Sequence, residues 1–279
     1  MGLLENVNQF VLLFFDTIRQ VARWRIWLVL LVYYLLQWLS LYVLYDYPAG
    51  PLGGGVARWV SLFGPQEATA FGHYPQHFLL LGKVAGWAKL ALGLVLEGLV
   101  LGMVASMFYR SFGGGDTGVT TGSSFVVRWA NLIVVWLVVN GLMLAAGQIL
   151  PVWATPYLDG SRRVLAFSFV LMPFVFTLIF SVFLLAIPSV VIYKDHAFRA
   201  IGRSVRYFFR RPLSLFGLAA VILGLPILLG ALASRPSGIV TSFKPELVYW
   251  ILSVSLFIEM IAYFFWMGTA VRFLRGQER

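Results

Sequence analysis

The sequence predicts an all-α fold: a polytopic membrane helical bundle of six transmembrane helices, preceded by an N-terminal interfacial amphipathic helix. Three observations predict it. Apolar residues make up 60% of the 279-residue chain and charged residues 11%, against about 25% charged in soluble domains. Six apolar stretches are each long enough to cross about 30 Å of hydrocarbon. Lys and Arg gather on alternate connections between those stretches, which an even number of crossings explains.

Residues 1–22 open the chain as an amphipathic helix. Leu3, Val7, Phe10, Phe14, Ile18 and Val21 recur at steps of three or four, and Glu5, Asn6, Gln9, Asp16, Arg19 and Gln20 lie mostly off that stripe. Such a pattern suits a helix lying in the membrane interface. The acids and the lack of a small-residue cleavage site argue against a signal peptide.

The six-helix domain is expected over 23–279, with spans near 26–45, 85–108, 129–149, 164–193, 213–233 and 247–271. The fourth holds Pro173 and Pro188 and should tilt or kink. Between spans one and two, the Pro-Ala-Gly-Pro-Leu-Gly-Gly-Gly run at 48–55 is turn chemistry. After it, the stretch from Arg58 to Phe63 suits a short interfacial helix with Trp59 at headgroup depth.

Orientation follows from counting cations. The side holding both termini carries 14 Lys and Arg and the other carries 7, Lys83 and Lys89 among them. The positive-inside rule places the richer side, and with it the N- and C-termini, in the cytoplasm. The net charge of +10 therefore points to membrane lipids with anionic headgroups as partners rather than to nucleic acid. With no cysteine, disulfides and thiolate chemistry are excluded. Arg outnumbers Lys by 17 to 4, a hint of a GC-rich bacterial source.

From span four into span five the chain reads Ala186-Ile187-Pro188, then Lys194-Asp195-His196-Ala197-Phe198-Arg199-Ala200-Ile201-Gly202-Arg203-Ser204, then Phe208-Phe209-Arg210-Arg211. This resembles a segment of the six-helix membrane domain attached to some glycerophosphoryl diester phosphodiesterases, and of its stand-alone, uncharacterised bacterial inner-membrane relatives. The resemblance covers about 30 residues and, beyond them, span count and topology. It implies a bacterial cytoplasmic (inner) membrane location and an accessory or lipid-related role. It lends no catalytic residues, because the phosphodiesterase chemistry belongs to a separate soluble domain.

Two groups of residues could carry function. In 194–211, a helix would set Ala197, Ile201, Val205 and Phe208 on one face and arginines toward the other. Arg199, Arg203, Arg206, Arg210 and Arg211 are candidates for docking lipid or a partner, each worth about 1 kcal/mol toward anionic lipid; enforcing topology is the plainer role. Glu97 and Glu259 form the second group, a candidate midplane polar site. An unpaired charge at midplane costs roughly 2.5–3.5 kcal/mol on insertion scales, so both acids should face protein or water. They either bind a proton, cation or amine, or lock the bundle by interhelical hydrogen bonds. Glu97 continues a small-residue stripe of Gly82, Gly86 and Gly93, while Ala91, Gly98, Gly102 and Ala105 lie roughly opposite. Two smooth faces make span two a central helix gripped on both sides, or a homodimer seam. Glu259 shares a stripe with Ser255 and Ala262. Asn131, Asn140 and Gln148 suit structural hydrogen bonds in span three.

His73 and His77 have helical metal spacing, but Pro75 intervenes and no carboxylate lies close in sequence beyond Glu67. No phosphate loop, dinucleotide fingerprint, zincin motif or nucleophile elbow occurs. Catalytic, metal and cofactor-binding residues are therefore not assigned, and no cofactor is expected. The reading that follows is a non-catalytic accessory or scaffold subunit of a membrane complex, or a lipid-organising protein, paired with other membrane subunits or with itself. A small transporter or permease subunit using the midplane acids is the alternative, and a lipid-modifying membrane enzyme the third.

Overall fold

Hydrocarbon offers backbone amides no hydrogen-bond partner, so an apolar crossing must satisfy its own N–H and C=O groups, which a helix does. The computed structural model of the protein describes residues 3–46, 53–62, 64, 69–115, 124–157, 161–233 and 236–277, and among them contains helices and no strands. Six helices are long and apolar enough to span a membrane: Trp24–Tyr45, Gln76–Ser111, Val126–Tyr157, Arg162–Ile192, Pro212–Ala233 and Leu247–Gly276. They are spans one to six below. This is an all-α bundle with the composition of a multi-pass membrane protein. In the most apolar window of span two 50% of residues are buried, against 22–39% in the others, which identifies it as the central helix.

Span two begins nine residues before the point its apolar run suggests. His77, inside the added turns, is buried, with Nδ1 3.0 Å from the Phe71 carbonyl and its ring 4.3 Å from that of Phe71. A polar residue that finds its partner locally does not end a helix. Among the described residues no three His, Cys, Asp or Glu side chains come together as a metal site would require. In the connection before it, Gly53–Ser61 is helical, so the last glycines of the expected turn run start a helix. Val56 and Val60 bury its inner face, while residues 47–52 lie outside the described part.

The N-terminal helix Leu3–Ile18 packs on span six. Among its described side chains, Leu13, Phe14 and Thr17 form the docking face and Ile18 and Val21 of the expected stripe are exposed, while the side chains of Leu3, Val7 and Phe10 lie outside the described part. Gly268 makes the approach possible, because a Cβ there would strike the Thr17 methyl group. Asp16 accepts a 2.6 Å hydrogen bond from Arg272 Nε, and Phe14 meets Phe265 at 5.7 Å between ring centroids.

Span four breaks where its prolines predict. A π turn over Phe167–Leu171 precedes Pro173, and a turn at Leu184 and Leu185 precedes the short helix Ala186–Ile192, which is buried along its whole length. Pro188 has no N–H to offer the Leu184 carbonyl four residues back. Trp266 Nε1 of span six donates to that carbonyl instead, at 2.8 Å. Ser204 completes the repair: its Oγ donates to Val182 O at 2.7 Å and accepts from Leu185 N at 3.2 Å. Ser204 lies on the helix Ala197–Arg210, the basic helix below, which is thereby fastened beside span four.

Candidate functional site: a charged layer between two apolar cores

The interior holds two separate apolar clusters. One takes Ile26, Leu30 and Tyr33 from span one, Val100 to Phe108 from span two and Met260 to Leu274 from span six. The other takes Leu41 and Leu44, then Phe78, Leu81 and Val84, then Val248 and Tyr249 from the same three spans. Between the clusters each span contributes polar residues: Gln37 in span one, Lys89 and Glu97 in span two, Ser253, Ser255 and Glu259 in span six. Glu259 lies 12 residues into a 30-residue helix, about 18 Å from one end at 1.5 Å per residue. The layer is thus close to mid-bundle.

Both expected acids are in this layer, with different partners. Glu97 is buried and accepts two phenolic hydrogen bonds, from Tyr263 Oη at 2.7 Å and Tyr33 Oη at 3.3 Å. Glu259 forms an ion pair with Lys89 Nζ across spans two and six. Lys89, which lies inside the expected span 85–108 but is counted there with the cations of the outer side, is therefore committed to an ion pair within the bundle. The lysine and the tyrosines were nonetheless signalled. Tyr33 and Gln37 are four apart, as are Glu259 and Tyr263, so each of these pairs shares a helix face, and Lys89 is a charge inside an apolar run.

A π turn, Gly93–Glu97, sets the position of Glu97. Such single π turns disrupt the regular ladder and recur at functional sites. Trp129 Nε1 of span three donates to the Val95 carbonyl inside it at 3.0 Å. Gly93 leaves room for the carboxylate, since a Cβ there would lie 2.9 Å from Glu97 Oε2 and 2.7 Å from Trp136 Cζ2. The two small-residue faces of span two then part company. Gly98 and Gly102 press on Leu132 of span three, with virtual Cβ contacts of 3.1 and 2.7 Å, so this face packs within the chain. Gly86, by contrast, would place a Cβ in open space, and with Gly82 it borders a cavity.

Two cavities flank the ion pair. The larger, about 470 Å³, lies between spans one, two, five and six and is bordered by Gln37, Lys83, Lys89, Ser255 and Glu259 among mainly apolar residues. The smaller, about 220 Å³, reaches spans three and four and is bordered by Lys89, Glu97, Asn140, Glu259 and Tyr263 among others. Lys89 and Glu259 line both. Asn140 donates within its own helix, to Trp136 O at 3.1 Å.

The five arginines expected to dock lipid or a partner divide in the structure. Arg203 is spent inside the protein, 2.8 Å from Asp195 and with Cζ 3.8 Å from the centre of the Tyr193 ring. Arg211 is half-buried, with Cζ 5.9 Å from the Phe273 ring centre. Arg199, Arg206 and Arg210 are exposed, as are Phe198 and Phe209, 77% and 76% accessible. Asn131 Oδ1 caps this basic helix by accepting from Ala197 N at 2.8 Å. Asn131 is seven residues inside the helix that starts at Ser124, so the basic helix is sunk about 10 Å along the bundle. Compared with protein families, curated proteins and solved structures, the chain matches none of them.

Proposed function

We propose that the protein is a solute-handling membrane protein of the transporter or permease-subunit class, with the Lys89–Glu259 pair as its intramembrane station. One observation carries this reading: the same ion pair borders two distinct cavities, one among spans one, two, five and six and the other reaching spans three and four. A pair needed only to hold helices together would be enclosed by packing. Here the pair is one salt-bridge rearrangement away from either cavity, which is what exchange of a polar solute between two compartments requires. Intramembrane ionisable groups commonly mark such paths. Glu97, held by two tyrosines, borders the smaller cavity together with Lys89 and offers the lysine a second carboxylate.

The scaffold reading retains a specific support in the Gly98 and Gly102 contacts with Leu132, which make half of span two a packing element. For setting we infer a bacterial cytoplasmic membrane with both termini inside, in keeping with the resemblance of 186–211 to inner-membrane domains. Leaving the ion-paired Lys89 out of the cation count widens the charge asymmetry that supports this orientation. Exposed Arg199, Arg206 and Arg210 beside exposed Phe198 and Phe209 favour contact of the basic helix with anionic headgroups.

The absence of native cysteine makes the test direct. Gly86→Cys in the larger cavity and Met143→Cys in the smaller are each exposed, in sealed vesicles, to a membrane-impermeant maleimide from one face at a time. Reaction of the first from one face and of the second from the other supports the reading. No reaction at either position would mean a dry, packed interior and return the protein to the scaffold class.

A further inference from the structure

We propose that the smaller cavity binds a small organic cation: an ammonium group carried next to a hydroxyl or carbonyl oxygen. The proposal rests on the intramembrane station argued above and names the class of solute it handles.

Charge sets the sign of the ligand. Glu97 and Glu259 border this cavity with Lys89, and among the described residues no other charged side chain does. Lys89 is paired with Glu259, which leaves Glu97 as the carboxylate without a counter-ion. Its hydrogen bonds do not supply one. Oε1 accepts from Tyr263 and Oε2 from Tyr33, a hydroxyl that Gln37 holds in turn. Both oxygens accept, as those of an ionised carboxylate do, and both donors are neutral. A lone carboxylate at this depth is costly unless a cation balances it. An arriving anion would meet that charge unopposed, whereas an arriving ammonium completes a second ion pair.

The wall selects the kind of cation. Trp136, Phe180, Phe183, Tyr263 and Trp266 border the space. The rings of Phe180 and Trp266 meet with centroids 4.7 Å apart at 61°, and Tyr263 stands 6.1 Å from Trp266. Aromatic faces attract a cation within about 6 Å, and cages of them suit ammonium groups that carry methyls. A small inorganic cation needs several oxygen ligands, which this wall does not offer. Trp136 places the oxygen. It is 5% exposed, it borders the cavity, and its Nε1 has no hydrogen-bond partner. A buried indole N–H in this state seeks an acceptor, which the ammonium itself cannot provide. The volume of about 220 Å³ holds about seven water-sized groups at roughly 30 Å³ each. That is room for a small amino alcohol and too little for an acyl chain.

The test uses the full chain in a neutral detergent, with radiolabelled choline as the probe and equilibrium dialysis as the measurement. One molecule should bind per chain. The uncharged isostere, in which carbon replaces the nitrogen, should not compete, and replacing potassium by sodium in the buffer should change nothing. Tetramethylammonium, which lacks the oxygen, should bind about fivefold more weakly, the loss of one hydrogen bond. Lysophosphatidylcholine carries the same cation on a lipid and should not compete; competition as strong as that of choline would assign the site to a lipid headgroup rather than a free solute. Glu97→Gln keeps both tyrosine partners and should weaken choline about tenfold. Trp136→Phe should erase the difference between choline and tetramethylammonium. Bound choline should slow maleimide labelling of Met143→Cys and not of Gly86→Cys. Equal competition by the uncharged isostere, displacement by sodium, or protection of Gly86→Cys alone overturns the proposal, as does binding unaltered by both Glu97→Gln and Trp136→Phe. If the two cysteines are labelled from opposite faces while choline is not retained, the ligand class falls and the station stands. If neither is labelled and choline is not retained, both fall.

Discussion

Neutralising both members of the Lys89–Glu259 pair should cost far less than the sum of neutralising each alone. Glu259→Gln leaves an ammonium near mid-bundle. An isolated charge there costs about 2.5–3.5 kcal/mol on insertion scales, and the one-third exposure of the Lys89 side chain toward the cavities sets the loss at the low end, about 2 kcal/mol. Lys89→Met leaves the Glu259 carboxylate, whose side chain is 18% exposed and so less relieved by cavity water, and should cost about 3 kcal/mol. The double variant retains no orphaned charge. It loses the pair's direct attraction but recovers the desolvation cost of both ions, so we expect about 2 kcal/mol in total and a coupling energy of about 3 kcal/mol. The assay is reversible unfolding of the four proteins in mixed micelles of rising denaturing-detergent fraction, followed by far-UV circular dichroism. Strict additivity, with coupling below about 0.5 kcal/mol, would refute a direct pair between spans two and six.

Three further outcomes follow from the packing. Gly93→Ala places a methyl group 2.7 Å from Trp136 and 2.9 Å from the Glu97 carboxylate, and should cost about 1–3 kcal/mol; Gly86→Ala meets nothing within 4 Å and should leave the melting temperature in detergent unchanged. Glu97→Leu strands the hydroxyls of Tyr33 and Tyr263 and should cost about 2–4 kcal/mol in the same unfolding assay, whereas Glu97→Gln, still able to pair with both, should cost less than half of that. Arg203→Gln breaks the contacts with Asp195 and Tyr193 and should lower thermal stability measurably, while Arg199→Gln should leave stability within about 0.5 kcal/mol of the parent and reduce only retention of anionic lipid.

Span number and the positions of the acids were legible in the sequence because both depend on one-dimensional quantities, the length of an apolar run and a charge within it. The breaks of span four were legible for the same reason, since proline removes a donor wherever it stands. Lys89 was not recognised as a site residue, although it sits inside an apolar run. Its partner is 170 residues away in sequence, and a cation near the edge of a predicted span looks the same whether it reaches solvent or an acid on another helix. The roles of the basic-helix arginines were equally hidden. Arg203 and Arg206 differ by three positions, and only the placement of Asp195 and Tyr193 turns one inward and leaves the other out. The N-terminal stripe leaves its partner open in a simpler way: apolar residues on a helix near a membrane can face protein or lipid, and Phe14 meets Phe265 while Ile18 and Val21 stay exposed.

The irregular backbone of this bundle gathers around the charged layer for a reason that bears on its use. A regular helix places its side chains at fixed steps of 100°; the π turn at Gly93–Glu97 resets that register between Lys89 and Glu97, so that one meets Glu259 and the other lies between Tyr33 and Tyr263. The same insertion would be costly in lipid were its backbone unpartnered, and Trp129 of span three partners it at Val95. At the next break, Trp266 of span six does the same for Leu184. Trp266 also borders the smaller cavity, so the indole that repairs span four forms part of the wall beside Glu259. A change in occupancy of that cavity would therefore bear on the hydrogen bond that holds the break closed, and through Ser204 on the seat of the basic helix. Trp266→Phe tests that link: it keeps an aromatic ring but removes the donor, and the result expected is faster proteolysis of the 194–211 segment together with altered labelling of Met143→Cys. Faster proteolysis with unchanged labelling would leave the bond as a local repair, with no connection from the charged layer to the basic helix.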